Sequence, residues 1–172
     1  PFLYFVSHGD EELVEAVRKG RKDEFEGFKW NAEPPDPQSE ETFNKSKLSW
    51  NYRNEAQRQA LLHLYQQLIS LKKHHPVLSV NNKVALKVDF NEAKKYLVLN
   101  RWNGDQFVLV IYNFGRESIT FKPEIEGSWT KIVDTADEFF KGPGSLAPDN
   151  LTADNEVTVQ PQSGVVWEKE GF

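Results

Sequence analysis

Cysteine and methionine are both absent from the 172 residues. Without cysteine there can be no disulfide and no thiolate metal site, a composition suited to a reducing compartment. Without methionine, and with Pro1 at its start, the chain does not read as a complete open reading frame, so further residues are expected upstream. No apolar run approaches the roughly 18 residues of a membrane helix, and no basic stretch precedes an apolar one as in a signal peptide. A cytoplasmic protein with no membrane partner is the expectation. Positive charge is not massed anywhere: 21 Lys and Arg are scattered among 26 Asp and Glu, for a net charge of -5, which leaves no footprint for nucleic acid. A nucleophile elbow, a phosphate loop, a dinucleotide fingerprint and zinc-ligand spacing are also missing, so neither cofactor nor metal is expected.

What is present is an ordinary globular composition, 38% apolar and 13% aromatic, enough for one core. The chain opens on the apolar run Pro1-Phe2-Leu3-Tyr4-Phe5-Val6, expected to bury against residues outside it. Residues 10–28 read as a helix, with Asp10, Glu11 and Glu12 in the first turn and Leu13, Val14 and Val17 on one face. From Trp30 to Trp50 the composition turns to Pro, Asn, Ser and Glu, which predicts a long irregular excursion. Ala56, Ala60, Leu61, Leu64, Leu68 and Leu71 then recur at helical spacing, predicting a helix over residues 54–75 that Pro76 stops. Its closing pair, His74 and His75, has no carboxylate or third histidine at ligand spacing, so a solvated helix end is expected.

Beyond Val80 the period changes from helical to alternating. Strands are predicted over residues 83–90, 95–102, 106–113, 117–121, 130–133, 156–159 and 164–169, with residues 142–149 as a surface loop. Asn103-Gly104-Asp105 predicts a tight hairpin turn. The fold class is therefore α+β: helices first, then an all-β antiparallel sandwich.

Residues 1–8, the basic stretch Val17 to Phe25, and Pro35-Asp36-Pro37-Gln38, Thr42-Phe43 and Ser46-Lys47-Leu48-Ser49-Trp50 together resemble segments of the maltooligosyltrehalose trehalohydrolases of the alpha-amylase superfamily, glycoside hydrolase family 13. His63-Leu64-Tyr65 through Pro76-Val77-Leu78 is similar to the last barrel helix of many amylase-type enzymes. Val110-Ile111-Tyr112-Asn113-Phe114, Gly127-Ser128-Trp129 and the run from Val159 to Trp167 are similar to the superfamily's C-terminal β-domain.

The resemblance implies that residues 1–78 are the helical end of a (β/α)8 barrel and that residues 79–172 are a β-sandwich domain. It implies a C-terminal portion of an enzyme that releases trehalose from maltooligosyltrehalose by cleaving an α-1,4 bond. That chemistry needs two carboxyl groups, about 5 to 5.5 Å apart in a retaining enzyme, on barrel strand ends. The resemblance puts them before Pro1, so no catalytic residue and no hydrolysis is expected here. The implied partners are the rest of the barrel and, through the parent enzyme, an α-glucan or maltooligosyltrehalose. Two other readings stand beside it: an α-glucan-binding sandwich without activity, and part of another amylase-type enzyme such as a branching enzyme.

Candidate substrate-binding residues follow from the same resemblance. His8, on the loop after the last barrel strand, would hydrogen-bond a sugar hydroxyl or hold the loop. Phe5, with Phe2 and Tyr4, would stack on glucose rings or pack against the barrel. Arg18 and Arg21 would donate to substrate hydroxyls or to carboxylates. Trp129, with Trp102 and Trp167, would form a starch platform or pack within the β-domain. The acidic run Asp10-Glu11-Glu12 is read as a helix start rather than as catalytic.

Overall fold

The computed structural model describes residues 3–28, 33–50 and 55–170. Phe2, Trp30 and Asn54, which entered the expectations above, lie outside them. The chain divides into two compact units, Pro1–Asn51 and Tyr52–Phe172.

In the first unit α1 (Glu11–Gly27) starts where the Asp10 side chain accepts from the Leu13 N–H at 3.0 Å. Glu11 and Glu12 in its first turn face the positive end of the helix dipole. The expected excursion before Trp50 is not wholly irregular, because it contains α2 (Glu40–Ser46). Ser39 caps it, accepting from the Glu41 N–H at 3.1 Å. Ser39-Glu40-Glu41 is a helix-start signal that the neighbouring prolines obscured. The Val6 N–H donates to Pro37 O at 3.0 Å, and Ser46 Oγ lies within hydrogen-bond reach of Thr42 O and Leu3 O. The opening segment is thereby tied to both ends of the later loop.

The second unit opens with α3 (Ala56–His74), whose last turn places Lys72, Lys73 and His74 at the negative end of the dipole. Eight strands follow among the described residues: β1 (Leu86–Asn91), β2 (Tyr96–Asn103), β3 (Gln106–Asn113), β4 (Ile119–Phe121), β5 (Trp129–Asp134), β6 (Asn150–Leu151), β7 (Val157–Val159) and β8 (Ser163–Lys169). Six make one sheet in the order β1-β2-β3-β8-β5-β6, and β4 pairs with β7 in a second. All the pairs are antiparallel. The β2–β3 turn pivots on Gly104 at φ +58°, with Asn103 and Gln106 closing the ladder. Positive φ falls on the glycine alone, the pattern of a II′ turn, and the preceding Asn103 stays in the strand.

The two sheets are unequal: among the described residues the second has only β4 and β7. Leu109, Ile111, Val165 and Trp167 pack with Val157 and Val159 on one face of the large sheet. On the opposite face Val108, Val110, Val133 and Val166 pack with Leu64 and Leu71 of α3 and with Val77. The helix is thus a layer over the sheet, belonging to the same compact unit. The unbroken apolar run Phe107 to Ile111 is the reason: a strand without alternation is buried on both faces.

Polar groups complete the attachment. Gln67 Nε2 donates to Ile132 O at 3.0 Å, and Asn103 Nδ2 to Pro76 O at 3.1 Å. Asn113 is buried at the end of β3, where its Oδ1 accepts from the Gly115 N–H at 2.8 Å. Its Nδ2 faces the carbonyls of Glu117, Val159 and Gln160 at 2.8, 3.2 and 3.0 Å. That amide stitches β3 to the chain around β7. Among the described residues no helix is long and apolar enough to cross a membrane.

Candidate functional site

The candidates of the first unit gather around α1 and the segment before α2. Arg18 and Arg21, three residues apart, share one face of α1. The Arg18 fork meets Asp36 with Nε–Oδ1 at 3.0 Å and Nη2–Oδ2 at 2.9 Å, while Nη1 reaches Glu15 Oε1 at 2.6 Å. All three nitrogens therefore go to carboxylates. Arg21 pairs with Glu24 and lies over the rings of Tyr4 and Phe25, at 5.0 and 5.4 Å from their centroids. Arg18 and Arg21 also line, with Lys22, Pro34 and Pro35, a shallow cleft of about 220 Å³.

Asp36 and Gln38 were not singled out as site residues from sequence, yet they organise this region. Asp36 Oδ1 accepts from the Gln38 N–H at 3.0 Å, an Asx-type turn that Asp-Pro-Gln could have signalled. Gln38 Oε1 in turn accepts from the His8 backbone N–H at 3.3 Å. Gln38 Nε2 is buried with no hydrogen-bond partner among the described residues. The half-buried His8 is thus positioned through its backbone, and its imidazole makes no hydrogen bond with the described residues. Phe5 lies elsewhere, its ring 5.0 Å from that of Phe43, with Lys47 Nζ 4.5 Å above the Phe43 ring.

The arrangement can orient a loop and offer one imidazole. Arg18 pairs with Glu15 and Asp36, and Arg21 with Glu24. The remaining candidate, Trp129, lies in the second unit at 4% exposure, packed in the core, with Nε1 donating to Glu126 O at 3.1 Å. It presents no ring face to a glucan. Trp167 is likewise fully buried. His74 approaches Ser70 at 3.4 Å and His75 approaches Glu168 at 3.2 Å, so the two point to different partners. Among the described residues no group of three or more His, Asp or Glu side chains is arranged to hold a metal.

The Arg18 hydrogen bonds, and next the Gln38 N–H, hold the Asp36 carboxyl below the usual carboxylate range. The folded state therefore binds a proton less readily than the unfolded one. Any stability from this contact is present above the ordinary carboxylate pKa and is lost as pH falls through the lower folded value. The pair is exposed, so solvent keeps the contribution small. A carboxyl-carbon NMR titration should show Asp36 titrating below the ordinary carboxylate range, and Arg18→Ala should raise its midpoint. An unchanged midpoint in that variant would refute the pairing.

No family model matches the chain. It is 36% identical over 121 residues to a malto-oligosyltrehalose trehalohydrolase of Rhizobium sp. (strain M-11), covering 70% of this chain and 20% of that protein. It is 44% identical over 80 residues to the protein of the same name from Deinococcus radiodurans, covering 45% and 13%. In structure it is similar to a Salmonella typhimurium protein described as an alpha amylase, with TM-score 0.66 and 22% identity over 99% of this chain and 26% of that one. At that identity the likeness speaks for the fold alone. The chain spans about a fifth of the length of the first of these relatives. By sequence, this chain is a relative of the malto-oligosyltrehalose trehalohydrolases, matching one limited part of them.

Proposed function

We propose that this chain is the C-terminal portion of a glycoside hydrolase of the alpha-amylase superfamily that releases trehalose from maltooligosyltrehalose. In this reading residues 1–78 close a catalytic barrel, residues 79–172 form a stabilising β-domain, and the catalytic acids stand on the rest of the parent enzyme. The observation that carries it is the second apolar face of α3. Leu64 and Leu71 point to the sheet, but Leu61, Tyr65 and Ile69 are 54%, 59% and 50% exposed on other sides of the same helix. Apolar side chains beyond the face that meets the sheet suit a helix that is covered on that second side as well. Proteins about five times longer than the matched stretch supply the material for that cover.

His8 and Phe5 are the residues of the first unit that this reading would bring toward substrate. Arg18 and Arg21 would shape the loop that carries His8. The reading is tested by measuring trehalose released from maltotriosyltrehalose by the parent enzyme and by residues 1–172 alone. Release by the parent only is expected; release by the isolated chain would sink the assignment of the acids to the rest of the enzyme.

A further inference from the structure

The large sheet ends on two unlike strands. At one edge β6 has two residues; at the other β1 has six, and no described strand stands beyond it. Side chains alternate along β1. Leu86, Val88 and Phe90 share the face on which Leu99 packs with the cluster beneath α3, and all three are exposed, Phe90 at 66%. Lys87 and Asp89 take the other face, with Lys87 Nζ 3.3 Å from Asp89. An apolar stripe on an open edge is a pairing surface of the kind that monomeric sheets ordinarily blunt.

The ladder fixes which backbone groups of β1 are free. Residues facing each other in an antiparallel pair alternate between exchanging both hydrogen bonds and exchanging none. The Trp102 N–H donates to Ala85 O at 3.3 Å, and one further step of the β1–β2 register sets these two residues opposite each other. The positions bonded to β2 are therefore Ala85, Lys87 and Asp89. The N–H and C=O groups of Leu86, Val88 and Phe90 turn outward to the open edge.

We propose that β1 pairs antiparallel with β1 of a second copy of this chain, about a twofold axis at Val88, joining the two large sheets. In that register Val88 faces Val88 and Leu86 faces Phe90, so the outward backbone groups bond reciprocally and apolar side chains meet on the α3 side. On the other face Lys87 of each copy stands opposite Asp89 of the other, giving two opposite-charge pairs. A slip of one residue would bring the apolar face of one copy beside the charged face of the other. A slip of two would set Asp89 against Asp89 or Lys87 against Lys87. The paired edge is used up in both copies, so assembly closes at two. The proposal involves the second unit alone and does not depend on the reaction of the parent enzyme.

A single strand pair buries less than a standard interface, so the second copy should be held weakly. Sedimentation velocity of the 172-residue chain between about 10 μM and 1 mM should show a monomer–dimer equilibrium. Lys87→Glu and Asp89→Lys each set like charges across the axis twice, and each should weaken the dimer about tenfold. An equimolar mixture of the two variants restores opposite charge at both contacts and should dimerise like the native chain. Should either charge variant misfold, Val88→Pro carries the test: it removes the central N–H donors, which face away from β2, and should abolish the dimer. The proposal is overturned by a native chain that stays monomeric throughout, or by a mixture of folded charge variants that fails to recover. It is equally overturned by variants that associate like the native chain, as self-association through the exposed side of α3 would produce.

Discussion

Replacing Trp167 with alanine should cost the second unit about 4 kcal/mol, within the range for truncating a buried aromatic. Trp167 sits on β8 between Leu109 of β3 and Lys131 of β5, fully buried, at the centre of the larger core cluster. Its Nε1–H donates to Pro148 O at 3.1 Å, which pins the loop before β6. Alanine would remove the ring, leave a cavity and orphan that carbonyl. Against a typical domain stability of about 5–15 kcal/mol the loss is a large fraction. Urea denaturation followed by circular dichroism should show a much lower midpoint. Trp167→Phe, which keeps most of the volume and gives up the hydrogen bond, should fall between the two. An alanine variant with the native midpoint would show that the core is not organised around this ring.

The second large effect is a contrast between two contexts. Leu61→Glu with Ile69→Glu, on the exposed part of α3, should alter the stability of residues 1–172 by no more than about 0.5 kcal/mol, as surface substitutions do. In the parent enzyme of the proposed reading, the same pair would set two carboxylates against an apolar neighbour. Unpaired buried charge costs several kcal/mol, so trehalose release and soluble yield of the parent should fall sharply. Thermal unfolding of the short chain and product assays of the parent give the two readouts. A parent enzyme that tolerates both substitutions at full activity would remove the main support for a covered α3.

The same helix shows what could be read in advance. The recurrence of Ala60, Leu64, Leu68 and Leu71 was enough to predict α3. It did not say that Leu64 and Leu71 meet a sheet formed by residues more than thirty positions later, because periodicity reports a face and not what lies against it. The strands were legible to within a few residues, and β3 coincides with its predicted span. The two-residue β6 was not, since so short a strand has no period to detect. The candidate site was legible only in part. His8, Arg18 and Arg21 were named from sequence, but Asp36 and Gln38, which tie Arg18 to the backbone of His8, came from side-chain geometry. Trp129 had two open readings, platform or packing, and only its burial separates them.

The sequence by itself determined the local elements: helices where apolar residues recur every three or four positions, strands where they alternate, and a hairpin where Gly104 admits positive φ. These follow from backbone geometry and from neighbours a few residues apart. The tertiary structure alone decided which faces are satisfied. It put α3 over one side of β3, the small sheet over the other, and left the β1–β2 edge open beside residues 121–125. Those outcomes depend on contacts between residues far apart in the chain, whose pairing no local pattern encodes.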